Sequence, residues 1–358
     1  MKKLLYFGLI LVGILSLTSF LISLYRSLRL YILAPQPGST LTYHFSLYIP
    51  DNRNSFFLGI IRGAEQAAAE LESAISVHSI DPAKNELEIA AFTGVDGVIV
   101  CPYLDDALAR RQLEKLREYQ IPAALINHNL PSEQPWPFIG INTFDMGRRI
   151  GLILQDYSQA QLVPQAVPVP PEKITLAVVY SDKAPGIYAE RELVEMGISA
   201  TLGEKLSGPI MSFRTNLNPL DAEALLVNIF RRIEDTRSGI NSGQSADPEP
   251  SLARFPSGDS AFTNGQTINT IVFTDPEDTI AAAQTLVDLN LVGQIQIIGF
   301  GSDPGVTENL RKGIISASVV INSERIGYQA VYSLAALRTT GYTSASIDTG
   351  IEIITGNK

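Results

Sequence analysis

The sequence predicts an α/β protein built from two βα halves, and three observations carry that expectation. Beyond residue 42, short apolar runs alternate with stretches of helical period, the pattern of strands joined by crossover helices. The runs are nearly continuous in apolar residues, as parallel strands buried on both faces must be. The alternation restarts at Ile174, so the scheme occurs twice.

Taken in order, the expected strands of the first half are Tyr43 to Ile49, Gly97 to Cys101, Ala123 to Ile126 and Phe138 to Ile141. Those of the second half are Ile174 to Tyr180, Thr270 to Thr274, Ile295 to Phe300 and Ile314 to Ile321. The first helix is the clearest: Phe56, Phe57, Ile60, Ile61, Ala64, Ala67, Ala68 and Leu71 recur at i, i+3 and i+4, with Asn54 or Ser55 placed to cap it. Second-half helices are expected near Ile187 to Met196, Ala222 to Ile233, Glu277 to Leu289 and Glu324 to Leu337. Residues 236–267 are rich in Gly, Ser, Pro, Asn and Asp without apolar period, and read as a mobile insertion on the surface.

Composition narrows the function. The chain has 358 residues, 45% hydrophobic and 18% charged, which excludes a disordered protein and leaves room for two domains. Its net charge is −10, and because Lys2, Lys3, Arg26 and Arg29 stand in an acid-free stretch over 1–34, the remainder carries −14. Such a body has no basic face for nucleic acid. The single Cys101 excludes an intramolecular disulfide and any Cys-rich zinc module. Leu4 to Tyr25 is 22 residues without a charge, long enough to cross a hydrocarbon layer of about 30 Å. It runs into Arg26 and Arg29 with no small-x-small cleavage site, so residues 1–34 read as an uncleaved membrane anchor in preference to a removed signal segment, with a Pro/Gly/Ser tether over 35–42. Positive charge flanks the span on both sides, which leaves its orientation open.

Motifs of catalysis are missing. There is no G-x-x-x-x-G-K-[ST], no correctly spaced G-x-G-x-x-G and no G-x-S-x-G, so a P-loop phosphate cradle, a nicotinamide enzyme and a nucleophile-elbow hydrolase are all unsupported. His44, His78 and His128 stand in separate segments without metal-ligand spacing, and no metal, cofactor or catalytic residue is assigned. What the chain offers is polar and aromatic residues after predicted strands, at the edge where open α/β sheets bind ligands. Asn54, Phe56 and Phe57 follow the first strand, Asn127 and His128 the third, and Thr274, Asp275 and Phe300 close strands of the second half. Flat aromatics among amides and charged groups suit a ligand with apolar ring faces and a rim of hydroxyls, such as a sugar. Asp275 also stands where it would cap the helix that follows.

With these residues in place, the body from about Tyr43 onward resembles the periplasmic sugar-binding proteins of the ribose/galactose-binding type, whose type 1 periplasmic binding protein fold is shared by the ligand domains of LacI-type repressors. The patterns that carry the resemblance are Asn54-Ser55-Phe56-Phe57 with Gly59-Ile60-Ile61-Arg62-Gly63-Ala64, then Val95-Asp96-Gly97-Val98-Ile99-Val100-Cys101-Pro102 and Ile121-Pro122. Ile297-Ile298-Gly299-Phe300, Gly313-Ile314-Ile315-Ser316-Ala317-Ser318-Val319 and Ile326-Gly327-Tyr328-Gln329-Ala330 follow in the same order. The resemblance implies two Rossmann-like lobes joined by a three-strand hinge, with the chain crossing near Asn142, Asn322 and Thr349. Residues 43–141 and 323–348 would form the N-terminal lobe, and 142–322 with 349–358 the C-terminal one.

It further implies a ligand in the interlobe cleft. Asn54, Phe56, Phe57 and Phe300 keep the family's residue types, and Arg191 matches a second-lobe arginine that bonds sugar hydroxyls. Asn127-His128 stands where relatives often have Asp-Arg, Thr274 replaces a common Asn, Gly301 stands in place of a carboxylate, and Ile321, beside Asn322, replaces an amide. The sequence therefore points to a membrane-tethered solute-binding protein of the periplasm or extracytoplasmic space, taking a sugar or similar small polar ligand and signalling by closure to a transporter permease or membrane sensor. The lost polar groups motivate a second reading, a binding-protein fold turned interaction or sensory scaffold that takes no solute.

Overall fold

A computed structural model describes residues 41–50, 55–80, 86–102, 106–159, 173–182, 185–215 and 268–356, together with Leu17, Thr18, Ser23, Val227 and Ile229. The expected anchor over 4–25 (Leu17, Thr18 and Ser23 apart), the insertion over 236–267, the helix at 222–233 (Val227 and Ile229 apart) and Asn54 lie outside those residues. Among the described residues, no helix is long and apolar enough to cross a membrane.

The chain forms two α/β lobes, each on its own six-stranded sheet. The first sheet has β1 (His44–Pro50), β2 (Ala74–Ile80), β3 (Gly97–Val100), β4 (Ala123–Ile126), β5 (Phe138–Gly140) and β11 (Ser346–Asp348), in the order β11-β5-β4-β3-β1-β2. All its pairings are parallel. The second has β6 (Leu176–Ser181), β7 (Met211–Thr215), β8 (Thr270–Phe273), β9 (Gln296–Phe300), β10 (Ala317–Ile321) and β12 (Ile351–Thr355), in the order β12-β10-β9-β8-β6-β7. There β12 alone runs antiparallel, at the edge.

Period-two side-chain alternation explains why the central strands are apolar throughout. On β6, Leu176, Val178 and Tyr180 face one buried cluster and Ala177 and Val179 the other. On β1, Phe45, Leu47 and Ile49 face one side while Tyr48 faces the opposite one. Helices cover both faces of each sheet. In the first lobe, α1 (Ser55–Glu70) and α9 (Ser323–Thr340) lie on one side, and α3 (Asp106–Glu118) lies on the other, beyond the short α2 (Glu86–Ile89). In the second, α4 (Thr143–Gln159) and α6 (Arg191–Leu202) oppose α7 (Pro276–Asp288) and α8 (Pro304–Arg311), and α5 (Pro185–Ala189) precedes α6.

Three passages carry the chain between sheets: from β5 into α4, from β10 into α9, and from β11 into β12. Consequently α9, near the end of the chain, packs on α1 near its beginning. The contact is close. A Cβ on Gly63 would lie 1.8 Å from the Glu324 carbonyl oxygen, and one on Gly327 would lie 1.9 Å from that of Ile60. The second lobe repeats the device where α4 crosses α6: a Cβ on Gly147 would meet the Val194 carbonyl oxygen at 2.1 Å, and one on Gly197 that of Phe144 at 2.2 Å.

Several expected elements are shifted. The strand expected from Ile314 starts at Ala317, because Gly313 turns the chain at φ 72° and the N–H groups of Ile314 and Ile315 bond back to Asn309. The helix expected over Ile187 to Met196 breaks at Glu190, which leaves helical geometry at φ −104° and ψ 20°. The edge strands β2, β7, β11 and β12 were not expected at all.

Candidate functional site

The two sheets turn their carboxyl edges toward each other. This follows from one contact: the chain leaving β4 in the first lobe touches the chain beyond β6 in the second, where a Cβ on Gly186 would lie 1.8 Å from the Asn127 carbonyl oxygen. Behind that contact the lobes share one apolar cluster, which holds Phe57 and Ile126 from one side and Tyr180 and Ile187 from the other.

On the first-lobe wall, the expected aromatic pair divides its work. Phe57 is buried in the core, whereas Phe56 is half-buried and meets it edge-on at a centroid distance of 5.3 Å. Asn127 has φ 62°, a left-handed conformation that asparagine tolerates better than most residues. Its side-chain amide donates to Cys101 Sγ at 3.9 Å, and burial pushes the Cys101 thiol up to about 12, so that it stays protonated. His128 is buried, with Nε2 2.9 Å from Asp106 Oδ1, while its Nδ1 is a buried atom without a hydrogen-bond partner.

On the second-lobe wall, Arg191 belongs to an aromatic and cationic cluster. Its guanidinium carbon lies 5.0 Å from the Tyr188 ring centroid, and that of Arg214 lies 4.2 Å from the same centroid. Arg214 is paired with Asp182. Beneath them the Tyr180 hydroxyl donates to the Arg191 carbonyl and to Glu195, and burial followed by the Glu195 carboxylate raises its pKa. Asp182 stands just beyond a predicted strand and was legible by the strand-end rule; Arg214 lies on β7, whose pattern Met-Ser-Phe-Arg-Thr alternates polar and apolar and was not read as a strand.

Other expected residues are engaged by the scaffold. The Thr274 hydroxyl accepts from the Ser181 N–H at 3.1 Å and donates to the Val179 carbonyl at 3.2 Å, knitting β8 to β6. Asp275 caps α7, its Oδ1 accepting from the N–H groups of Glu277 and Asp278. Asn322 caps α9 through Oδ1, which accepts from the Arg325 N–H at 2.9 Å. Phe300 is buried at the end of β9, its N–H donating to Thr279.

A cavity of about 210 Å³ opens beside two of the interlobe passages, lined by Asn129, Phe138, Asn142, Thr143, Glu190 and Asp348 among others. None of the expected ligand residues lines it. The histidines are less scattered than their spacing suggested, since pairing of β1 with β2 brings His44 and His78 to opposite sides of the Ser76 hydroxyl, at 3.2 and 3.1 Å. No group of three or more metal-ligating side chains occurs among the described residues.

This architecture recurs in solved structures. A glucose-galactose binding protein from Geobacillus stearothermophilus superposes with a TM-score of 0.66 at 19% identity, over 88% of this chain and 97% of that one. A Caulobacter myo-inositol binding protein gives 0.65 at 18%, over 90% and 95%. A carbohydrate transporter solute-binding protein from Agrobacterium radiobacter, in complex with D-arabinose, gives 0.66 at 15%, over 87% and 94%. At these identities the likeness establishes the fold. No curated protein matches the chain by sequence. The family model described as a periplasmic binding protein domain matches residues 45–341, most of the chain. With two parallel-sheet lobes meeting at their carboxyl edges, the chain belongs to the periplasmic binding protein domain family.

Proposed function

We propose that this protein binds a sugar or similar small polar solute between its lobes and hands the closed state to a transporter permease or membrane sensor. The observation that carries the reading is the apposition of the two carboxyl edges at Gly186 and Asn127, which makes the space between Phe56 on one wall and the Tyr188, Arg191 and Arg214 cluster on the other the place for a ligand. The half-buried Phe56 ring offers stacking to an apolar ring face, and the guanidinium groups that lie over Tyr188 offer hydrogen bonds to hydroxyls. The family is one of binding proteins, so no reaction is assigned. Glucose, galactose, myo-inositol and arabinose, the solutes of its structural relatives, are the first candidates. The three interlobe passages act as the hinge, with the N-terminal lobe formed by 43–141 and 323–348. The body is extracytoplasmic and tethered through residues 4–25.

Titration calorimetry of the full chain against these four compounds and a set of further polyols and nucleosides tests the proposal. Saturable heat with one of them is expected, and so is its loss in Arg191→Ala. Uniform silence overturns it in favour of the second reading, a scaffold that takes no solute. That reading draws support from Thr274, Asp275 and Asn322, whose polar atoms already serve the fold.

A further inference from the structure

Where Gly186 of the second lobe meets Asn127 of the first, the contact is backbone to backbone. Gly186 is the second residue of α5, and a Cβ added to it would lie 1.8 Å from the Asn127 carbonyl oxygen, 2.7 Å from the Asn127 carbonyl carbon and 3.2 Å from the His128 Cα. All three are backbone atoms, so no rotamer change relieves the overlap. Nor can the backbone on the first-lobe side yield like a free loop. The Asn127 N–H donates to the Ile139 carbonyl at 3.2 Å and the His128 N–H to that of Ile126 at 2.7 Å, which pins the segment to the sheet. The side chain of His128 is buried against Asp106 as well. On the other side, the Gly186 carbonyl accepts from the Glu190 N–H within the helical turn, and the adjacent Ile187 is buried in the apolar cluster common to both lobes.

We propose that Gly186 is the closure stop of this protein: its missing side chain lets the second lobe descend until backbone meets backbone at Asn127, and any larger residue at 186 holds the lobes apart. The cleft width opposite Phe56 is then fixed by this contact, because packed lobes move as rigid bodies about their connections. Restoring ordinary van der Waals separation around a single added methyl requires the walls to part by about 2 Å at this edge, and a leucine requires more. Gly186 is thus a positioning residue that touches no ligand, and its role holds whichever solute is bound.

The test is an interlobe distance measured on the full chain by pulsed electron resonance, with spin labels on Tyr119→Cys in the first lobe and Met196→Cys in the second. Both sites are exposed, whereas native Cys101 is buried away from the label. Distances are recorded in buffer alone and with a mixture of D-glucose, D-galactose, myo-inositol and D-arabinose. The native sequence is expected to show a population at the distance of the closed lobes in at least one condition. Gly186→Leu is expected to lose that population to longer distances, Gly186→Ala to lose most of it, and Ala189→Leu, exposed on the same helix, to keep it. Circular dichroism checks that each variant is folded; if Gly186→Leu is not, Gly186→Ala decides. An unchanged distribution in the folded Gly186 variants overturns the proposal, as does a native sequence without the closed population in either condition. A closed population of the native chain in buffer alone makes the comparison between variants independent of solute, and a failure of the four compounds to bind in calorimetry is then a separate result.

Discussion

Cys101 directly follows β3, fully buried in an apolar cluster, with the Asn127 amide donating to its sulfur. Burial disfavours the thiolate and pushes the thiol from 9.0 to about 12. The folded chain therefore holds this proton more tightly than the unfolded one. The contribution to stability is fully present below pH 9 and is lost as pH rises toward 12. Compared with Cys101→Ala by urea unfolding, the native chain is expected to lose relative stability progressively above pH 9 and to hold a constant difference below it. Native Cys101 should also resist iodoacetamide until the chain unfolds. Asn127, Thr274 and Asp275 show what the sequence disclosed at this scale. Their positions after strands were readable, because apolar runs locate strand ends. The partners of Asp275 were readable too, because a cap bonds its own helix, whereas that of the Thr274 hydroxyl was not, since Val179 lies on a strand nearly a hundred residues away. The same holds for Arg191, whose neighbour over the Tyr188 ring, Arg214, comes from a strand the pattern concealed.

At the scale of elements, each lobe is fastened by a helix pair that crosses on reciprocal glycines, Gly63 with Gly327 and Gly147 with Gly197. Small residues at a crossing let backbones approach closely enough for the flanking apolar rows to interlock. Gly327→Val is expected to destabilise the chain by about 3 kcal/mol through overpacking, read as a lowered midpoint in thermal or urea unfolding. Gly341→Ala tests a different property, since Gly341 ends α9 at φ 73° with open space around it; its penalty is one of conformation alone and should be the smaller. Legibility followed burial. Central strands such as Ala123–Ile126 are covered on both faces and announce themselves as continuous apolar runs. The edge strand β2, Ala-Ile-Ser-Val-His-Ser-Ile, is partly open to solvent and mixes Ser and His into its pattern. The edge strand β12 includes Glu352, and β11 is three residues long. Helices α3 and α4 keep buried stripes at helical spacing, Ala109, Leu113 and Leu116 on one and Met146, Ile150 and Leu154 on the other, and the charged residues on their outer faces dilute that signal without breaking it.

For the whole molecule, the repetition of the βα scheme was enough to predict two lobes, because each half has its own run of buried strands. The assignment of the last helix was beyond periodicity. Nothing in the amphipathic pattern of α9 says that it returns to α1, and only the likeness to a known family suggested it. The charge contrast noted at the N-terminus bears on location. On the proposed anchoring through residues 4–25, the full chain should stay in the membrane fraction after an alkaline carbonate wash and be released by detergent, and a chain lacking residues 1–34 should be recovered in the soluble fraction. Recovery of the full chain in the wash would remove the anchor from the proposal.

The return of α9 and β11 to the first lobe also sets an order of assembly during synthesis. The lobe that begins to emerge first lacks the helix that covers α1 and an edge strand of its sheet until residue 348 has left the ribosome. By then all of the second lobe except β12 has been made. A nascent chain must therefore carry a half-covered first sheet while β6 to β10 are made, with the apolar face of α1 waiting for a partner that follows them. The same delay keeps the first lobe from locking into its final form early, which would suit the proposed extracytoplasmic body if the chain crosses a membrane before it folds.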